Sequence, residues 1–283
     1  MSAKSRFSDA TVATAKQLVP IDDIMFQKIC ESKSTCQEII STILGQEIKV
    51  LEVIPQDSVE NLQGRSVRLD CLCRLKDGVY VNVEVQKPNN DDHEARVRYN
   101  ASIITTNKTP KSVKFKDVAQ VIVIYITKFD IFNSGFPIYH VDRVVRETGK
   151  IRTDGFTEIY VNAFVKKYDD ELNTNVSDLM DLFTDRKKLN PEKFPEFSRR
   201  KNTFVNTKRG EIEMCELFEK FAKEREREVV LNLLFKGVQD GGVKIAYAAR
   251  QVNLSLNEFK DQMRLRGFTV PQRNGRSTAN NRN

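Results

Sequence analysis

Asp70 and Glu84 are the two residues of this chain whose type and spacing point most directly to chemistry. They lie in Arg68–Gln86, RLDCLCRLKDGVYVNVEVQ, where apolar and polar residues alternate. If the two acids face each other across a hairpin, their Cβ atoms are about 5 Å apart. Like charges at that range repel, and a divalent cation between them removes the repulsion. Two carboxylates, a backbone carbonyl and waters form a hard-oxygen set suited to Mg²⁺. Gln86 lies two residues beyond Glu84, on the same strand face, and can hold or orient an attacking water. The same pattern also describes an edge hairpin with a solvated polar face, and spacing alone leaves both readings open.

Whether the acids meet depends on the turn. Asp77-Gly78 is a hairpin signal that allows two registers. A two-residue loop pairs Lys76 with Val79 and sends Asp70 and Glu84 to opposite faces. A three-residue loop, with Gly78 left-handed as a G1 bulge, pairs Leu75 with Val79 and sets Asp70 opposite Glu84. The second gathers Val67, Leu69, Cys71, Cys73, Val79, Val81, Val83 and Val85 on one face. Its other face holds Arg68, Asp70, Leu72, Arg74, Tyr80, Asn82, Glu84 and Gln86. The first mixes valines with Arg68, Asp70 and Arg74, and burying unpaired charges is costly. The three-residue loop is therefore predicted.

Other segments must hold this hairpin. Residues 22–46 have helical apolar spacing, a break within ESKSTC and Gly45 as C-cap. IKVLEVIPQ is a first strand. Residues 91–107 suit a helix starting near Asp91-Asp92. DVAQVIVIYITKF is a β-branched run fit for a central strand buried on both faces. FPIYHVDRVV and TEIYVNAFV are two more strands. Helices dominate from about 168, including a long one ending at Gly237 and a second unit over 243–266. The tail has almost no apolar content and is expected to be disordered. Strands followed by helices around one sheet mean an α/β or α+β fold.

The chain has 283 residues, 40% hydrophobic and 30% charged, which suits a soluble globular protein. No apolar run approaches the roughly 18 residues of a membrane helix, and the first residues carry no secretory signal. A cytoplasmic location without membrane contact is expected. The net charge of +7 is compatible with a polyanionic partner. Five cysteines, at 30, 36, 71, 73 and 215, are expected as small buried hydrophobes. A zinc site calls for CxxC pairs or histidines, and only His93 and His140 exist. A hydrolase triad lacks a nucleophile motif.

Asp70 followed by Glu84-Val85-Gln86 resembles the D…(D/E)xK core of the PD-(D/E)xK nucleases, in the form where glutamine replaces lysine. DDIMFQKI resembles the family's D-x-x-F-K helix, RLDCLCRLKDGVYVNVEVQ its R-x-D-hairpin-N-x-E-x-Q block, EARVRYNASI its R-x-x-Y helix, and VIVIYITKFDIF the next core strand. The similarity covers roughly 20–235 and is closest to the transposase and recombination-promoting nuclease family. It implies an α/β fold, restriction-endonuclease-like, with a mixed central sheet flanked by helices and a C-terminal helical extension. The corresponding division is an arm over 1–19, a nuclease-like domain over 20–236, a helical unit over 237–268 and a tail over 269–283.

The resemblance implies a Mg²⁺-dependent DNA endonuclease, with Mn²⁺ as an alternative metal and no small-molecule cofactor. Asp70 and Glu84 would be metal ligands and the Val85 carbonyl a third. Asp23 would be an auxiliary acid, although it or Asp22 could equally be an N-cap. Gln86 takes the lysine position; it can bond water or phosphate but cannot act as a base or carry charge, which bears on rate more than on mechanism. Arg96 and Tyr99 share a helix face. With Arg98 they are candidates for phosphate contact or for orienting Glu84 and Gln86, against a plain solvated face. Where the family usually closes this helix with Leu-Gly-Tyr, the chain has TTNKTPKSVKF. DNA is the implied partner, with a homodimer left open. The C-terminal stretch loosely resembles a helix-turn-helix exposing Asn257, Lys260 and Gln262, or else serves packing. RRKN (199–202) and KRG (208–210) are expected as solvated faces. A catalytically silent nucleic-acid-binding or interaction protein on the same scaffold is the second reading.

Overall fold

Caps and apolar spacing set the first helices. Ser8 caps α1 (Asp9–Ala15) by accepting from the Thr11 amide. α2 (Asp23–Cys30) and α3 (Lys33–Leu44) part at Glu31-Ser32, where Ser32 accepts from the Thr35 amide and restarts the helix. Gly45 closes α3 in the left-handed conformation at φ 64°, as predicted. The computed structural model describes residues 6–54, 68–165 and 170–271. It continues with β1 (Val50–Ile54), β2 (Cys71–Leu75), β3 (Tyr80–Gln86), α4 (His93–Lys108), β4 (Val121–Thr127), β5 (Ile138–Val141), β6 (Arg143–Val145), β7 (Lys150–Arg152) and β8 (Phe156–Asn162). The helices α5 (Glu171–Thr184), α6 (Pro195–Asn206), α7 (Lys208–Gln239), α8 (Ile245–Gln251) and α9 (Leu256–Leu265) follow.

The main sheet has the order β1-β2-β3-β4-β8-β5. β3, β4 and β8 run parallel and the remaining pairs antiparallel. With helices on the faces, this is the α/β architecture with a mixed central sheet. β4 lies between two parallel neighbours and is buried on both faces, which its unbroken apolar run requires. One face carries Met25, Phe26, Ile29, Ile39, Val83, Phe183 and Phe197 in a single core. The other packs Leu72, Val97, Ile104, Tyr125 and Tyr160 beneath α4.

The hairpin takes the predicted three-residue loop. Leu75 N donates to Val79 O at 2.8 Å and Gly78 N to Leu75 O at 3.0 Å, with Gly78 at φ 93°. The ladder pairs Cys71 with Val83 and Arg74 with Tyr80.

Several expectations are corrected. β3 lies between β2 and β4, so the hairpin is not an edge and its polar face is not solvated: Asn82 and Glu84 are buried. Leu69 packs with Leu72 and Val97, not with Cys71, because the ladder starts at Cys71 and strict alternation does not extend before it. Val67 and the tail from 272 lie outside the described residues. FPIYHVDRVV yields two strands, since β5 joins the main sheet while β6 pairs with β7 in a separate ribbon. α7 runs through Gly237 to Gln239.

Two members of the RRKN cluster, Arg200 and Lys201, are structural rather than solvated, while Arg199 and Asn202 are exposed as expected. Arg200 donates to the Lys28 carbonyl at 2.7 Å at the end of α2. Lys201 is fully buried and gives its three protons to the carbonyls of Leu182, Asp185 and Lys188, where α5 ends. An ammonium's three donors match three orphan carbonyls at a helix C-terminus. Gly210 starts α7 tight against α6: a Cβ there would sit 2.0 Å from the Thr203 oxygen.

The chain divides into two units, one ending at Glu219 and one beginning at Lys220, within α7. The second has its own core of Leu231, Phe235, Ala248, Phe259 and Met263. A capping box between Ser255 and Glu258 starts α9. Asn257 is exposed there, whereas Gln262 accepts from Arg266. Among the described residues no helix is long and apolar enough to cross a membrane.

Lys201→Met is expected to cost about 2–3 kcal/mol, because it leaves buried carbonyls unpaired. A lower urea midpoint with unchanged m value would show it; an unchanged midpoint would refute the cap.

Candidate active site

Asp70 stands one step before β2, just outside the paired ladder, and hydrogen bonds to β3 bring it to Glu84. The two acids brace each other's strands. Asp70 Oδ2 accepts from the Val85 amide at 3.0 Å, and Glu84 Oε1 accepts from the Asp70 amide at 3.3 Å. Asn82, two residues earlier on the same face, donates Nδ2 to Glu84 Oε1 at 2.8 Å and is fully buried. Its own Oδ1 is buried without a hydrogen-bond partner.

Both carboxyls are destabilised as anions. Desolvation, opposed by the Val85 amide bond and reinforced by Asp23, raises Asp70 to about 7. Burial first, then the charge of Asp70, pushes Glu84 well above the usual carboxylate range. Arg96 on α4 pulls both back down, and Arg68 acts likewise on Asp70. Arg96 also meets Asp92 at 3.3 Å, and its Nε is buried without a hydrogen-bond partner. Charge from the first turn of α4 therefore reaches the pair, an effect distinct from the phosphate contact expected of Arg96. Arg98 points to the exposed side of α4, and Tyr99 is half-buried.

Asp23 is the first residue of α2, close enough for its charge to act on Asp70. Neither aspartate makes a side-chain cap bond on α2. Asp22 accepts from the Val19 amide at 2.9 Å and binds Lys87. Lys87 thus turns away from Glu84, toward α2, as strand alternation predicts. Gln86 ends β3 with its side-chain amide donated to the Pro88 carbonyl at 3.1 Å.

Three residues near the pair escaped prediction. Asn82 sits inside the N-x-E-x-Q block, whose spacing marks it for the Glu84 face. Tyr125 pairs in register with Glu84 on β4. His93, dismissed as a zinc ligand, is buried at the start of α4 and bonds Tyr125 Oη at 3.1 Å and Asn89 Oδ1 at 3.0 Å. Only the parallel β3–β4 register reveals that this polar string lies beside the acids.

The donors fit a hard divalent cation. Two carboxylates held together by reciprocal backbone bonds in a desolvated spot, only partly compensated by Arg96 and Arg68, are a donor set that a divalent cation would stabilise as anions.

Residues 20–232 match the family model described as PD-(D/E)XK nuclease family transposase. No curated protein and no solved structure is significantly similar to the chain.

Asp70 ionises in the fold near pH 7 against an ordinary 3.8. Its ionisation therefore opposes folding: the cost is absent below the unfolded pKa, grows between the two values and is complete above the folded one. Asp70→Asn keeps an acceptor for the Val85 amide. In EDTA it should raise Tm at about pH 8 and change it little near pH 4. Equal shifts at both pH values would contradict the assigned electrostatics.

Proposed function

Because the chain belongs to the PD-(D/E)XK nuclease family of transposases, we propose that it is a Mg²⁺-dependent DNA endonuclease hydrolysing phosphodiester bonds in transposition or recombination. The family supplies a nuclease-type function linked to transposition. The observation that carries the finer reading is the convergence of Asp70 and Glu84 from adjacent strands beside Arg96.

Asp70 and Glu84 would hold the metal, with Asp23 as the neighbouring acid. The N–H and C=O of one residue in a strand point to the same side. The Val85 carbonyl, whose amide meets Asp70, is thereby aimed along the same edge as a third donor. A divalent cation, when bound, polarises the scissile phosphate and lowers the pKa of a bound water. Asn82 fixes the carboxyl orientation of Glu84. Arg96 offsets phosphate charge from the helix side. Gln86 orients the attacking water by hydrogen bonding, for which its amide must leave the Pro88 carbonyl. Arg68, exposed before Asp70, extends the positive rim toward a DNA backbone.

One observation favours the silent scaffold: Gln86 and Lys87 are engaged with Pro88 and Asp22. Plasmid cleavage separates the readings. With Mg²⁺ the wild type is expected to cut, and EDTA to stop it. Asp70→Asn and Glu84→Gln should each lower the rate at least about a hundredfold, and Asn82→Ala about 10–100-fold through the misplaced Glu84. A wild type that binds DNA in a salt-dependent way yet leaves it intact with Mg²⁺ and Mn²⁺ would remove the enzyme reading.

A further inference from the structure

The opposite face of the same hairpin gathers sulfur. Cys30 is the last residue of α2, Cys36 lies in the first turns of α3, and Cys71 and Cys73 project from one face of β2. All four are buried. The Sγ atoms of Cys30, Cys36 and Cys71 lie within 4.8 Å of one another. Cys36 and Cys71 are 3.7 Å apart, as are Cys71 and Cys73. A tetrahedral zinc with bonds of about 2.3 Å sets its sulfurs about 3.8 Å apart. We propose that Cys30, Cys36 and Cys71 form the thiolate core of a structural zinc site, with Cys73, 3.7 Å from Cys71, turning in as the fourth ligand and the ion tying α2 and α3 to β2.

The thiols come from three elements, so the grouping is tertiary and no CxxC motif announces it. The donor set is soft and suits Zn²⁺ over Mg²⁺, whereas the Asp70–Glu84 pair is hard. The two sites therefore select different metals, and the zinc proposal does not rest on the nuclease reading. A site this deep closes as the helices dock, so the ion enters during folding and replaces the thiol protons. Cys215, in α7, is not among the thiols in sulfur contact and serves as the internal control.

The full chain, unfolded in reductant and EDTA and then refolded with ZnCl₂, is expected to retain about one zinc per chain after gel filtration, by elemental analysis. Refolding with CoCl₂ should give the sulfur-to-cobalt charge-transfer band and the intense red d–d bands of a tetrahedral thiolate site. Asp70→Asn/Glu84→Gln and Cys215→Ser should keep the ion, and Cys36→Ser and Cys71→Ser should lose it. The cobalt spectrum of the wild type decides the matter if the cysteine variants fail to fold. Folded protein without zinc and without the cobalt bands would overturn the proposal. So would zinc lost with the carboxylate variant, or a Cys36–Cys71 disulfide in protein handled without reductant.

Discussion

The structure is organised around two like charges that folding forces together away from water. Asp70 and Glu84 approach because Gly78 can take a positive φ and lengthen the turn to three residues. A shorter loop would send them to opposite faces and bury Arg74 among valines. Each acid is then held by the backbone of the other's strand, with Asn82 and Arg96 limiting the repulsion. None of this favours stability in the absence of a counter-ion. An arrangement of such cost is the physical ground for the functional reading proposed for the pair.

The hairpin is asymmetric in chemistry as well as in polarity. Period-two alternation assigns Asn82, Glu84 and Gln86 to the α4 side, while Cys71, Cys73, Val81, Val83 and Val85 face α2 and α3. Asp70 and Cys71 are neighbours in sequence yet belong to different environments. A tie between β2 and the two helices on one side would fix the strand end from which Asp70 reaches Glu84 on the other. Rigidity on the sulfur face would thereby become precision on the oxygen face, where the proposed chemistry would be sensitive to an error of about 1 Å in placement.

What was legible in the sequence follows a physical rule. Local patterns, such as the valines of β3, the glycine of the turn, the break before α3 and the unbroken run of β4, each dictate one element with little help from elsewhere. Asp70 and Glu84 were legible as a pair because register is fixed by such local signals. Lys201 was not, since nothing in RRKN distinguishes the residue that will cap α5 from the ones that meet solvent. His93 and Tyr125 were not, because a parallel pairing across 40 or so residues brings them to the acids. The cysteine group was not, for the same reason: its members are scattered over α2, α3 and β2. FPIYHVDRVV misled because a strand that changes sheets keeps the same composition across the break.

The glutamine at 86 raises the question of where the site finds its positive charge. A lysine stands one residue later, but parity turns it to the other side of β3, where Asp22 holds it. Shifting the strand by one residue to recruit Lys87 would move Glu84 into the valine core and the valines onto the polar face, a far larger penalty than any gain in charge. The cation must therefore come from another element, and α4 provides it: Arg96 acts on both carboxyls from the first turn of that helix. In a lysine-bearing site one side chain both carries charge and orients water. In the proposed site the two duties would be divided, with Gln86 able only to orient and Arg96 able only to neutralise. The docking of α4 on the sheet, through Val97 and Ile104 against Leu72 and Tyr125, thus governs the electrostatics of the site as much as the strands that carry its acids.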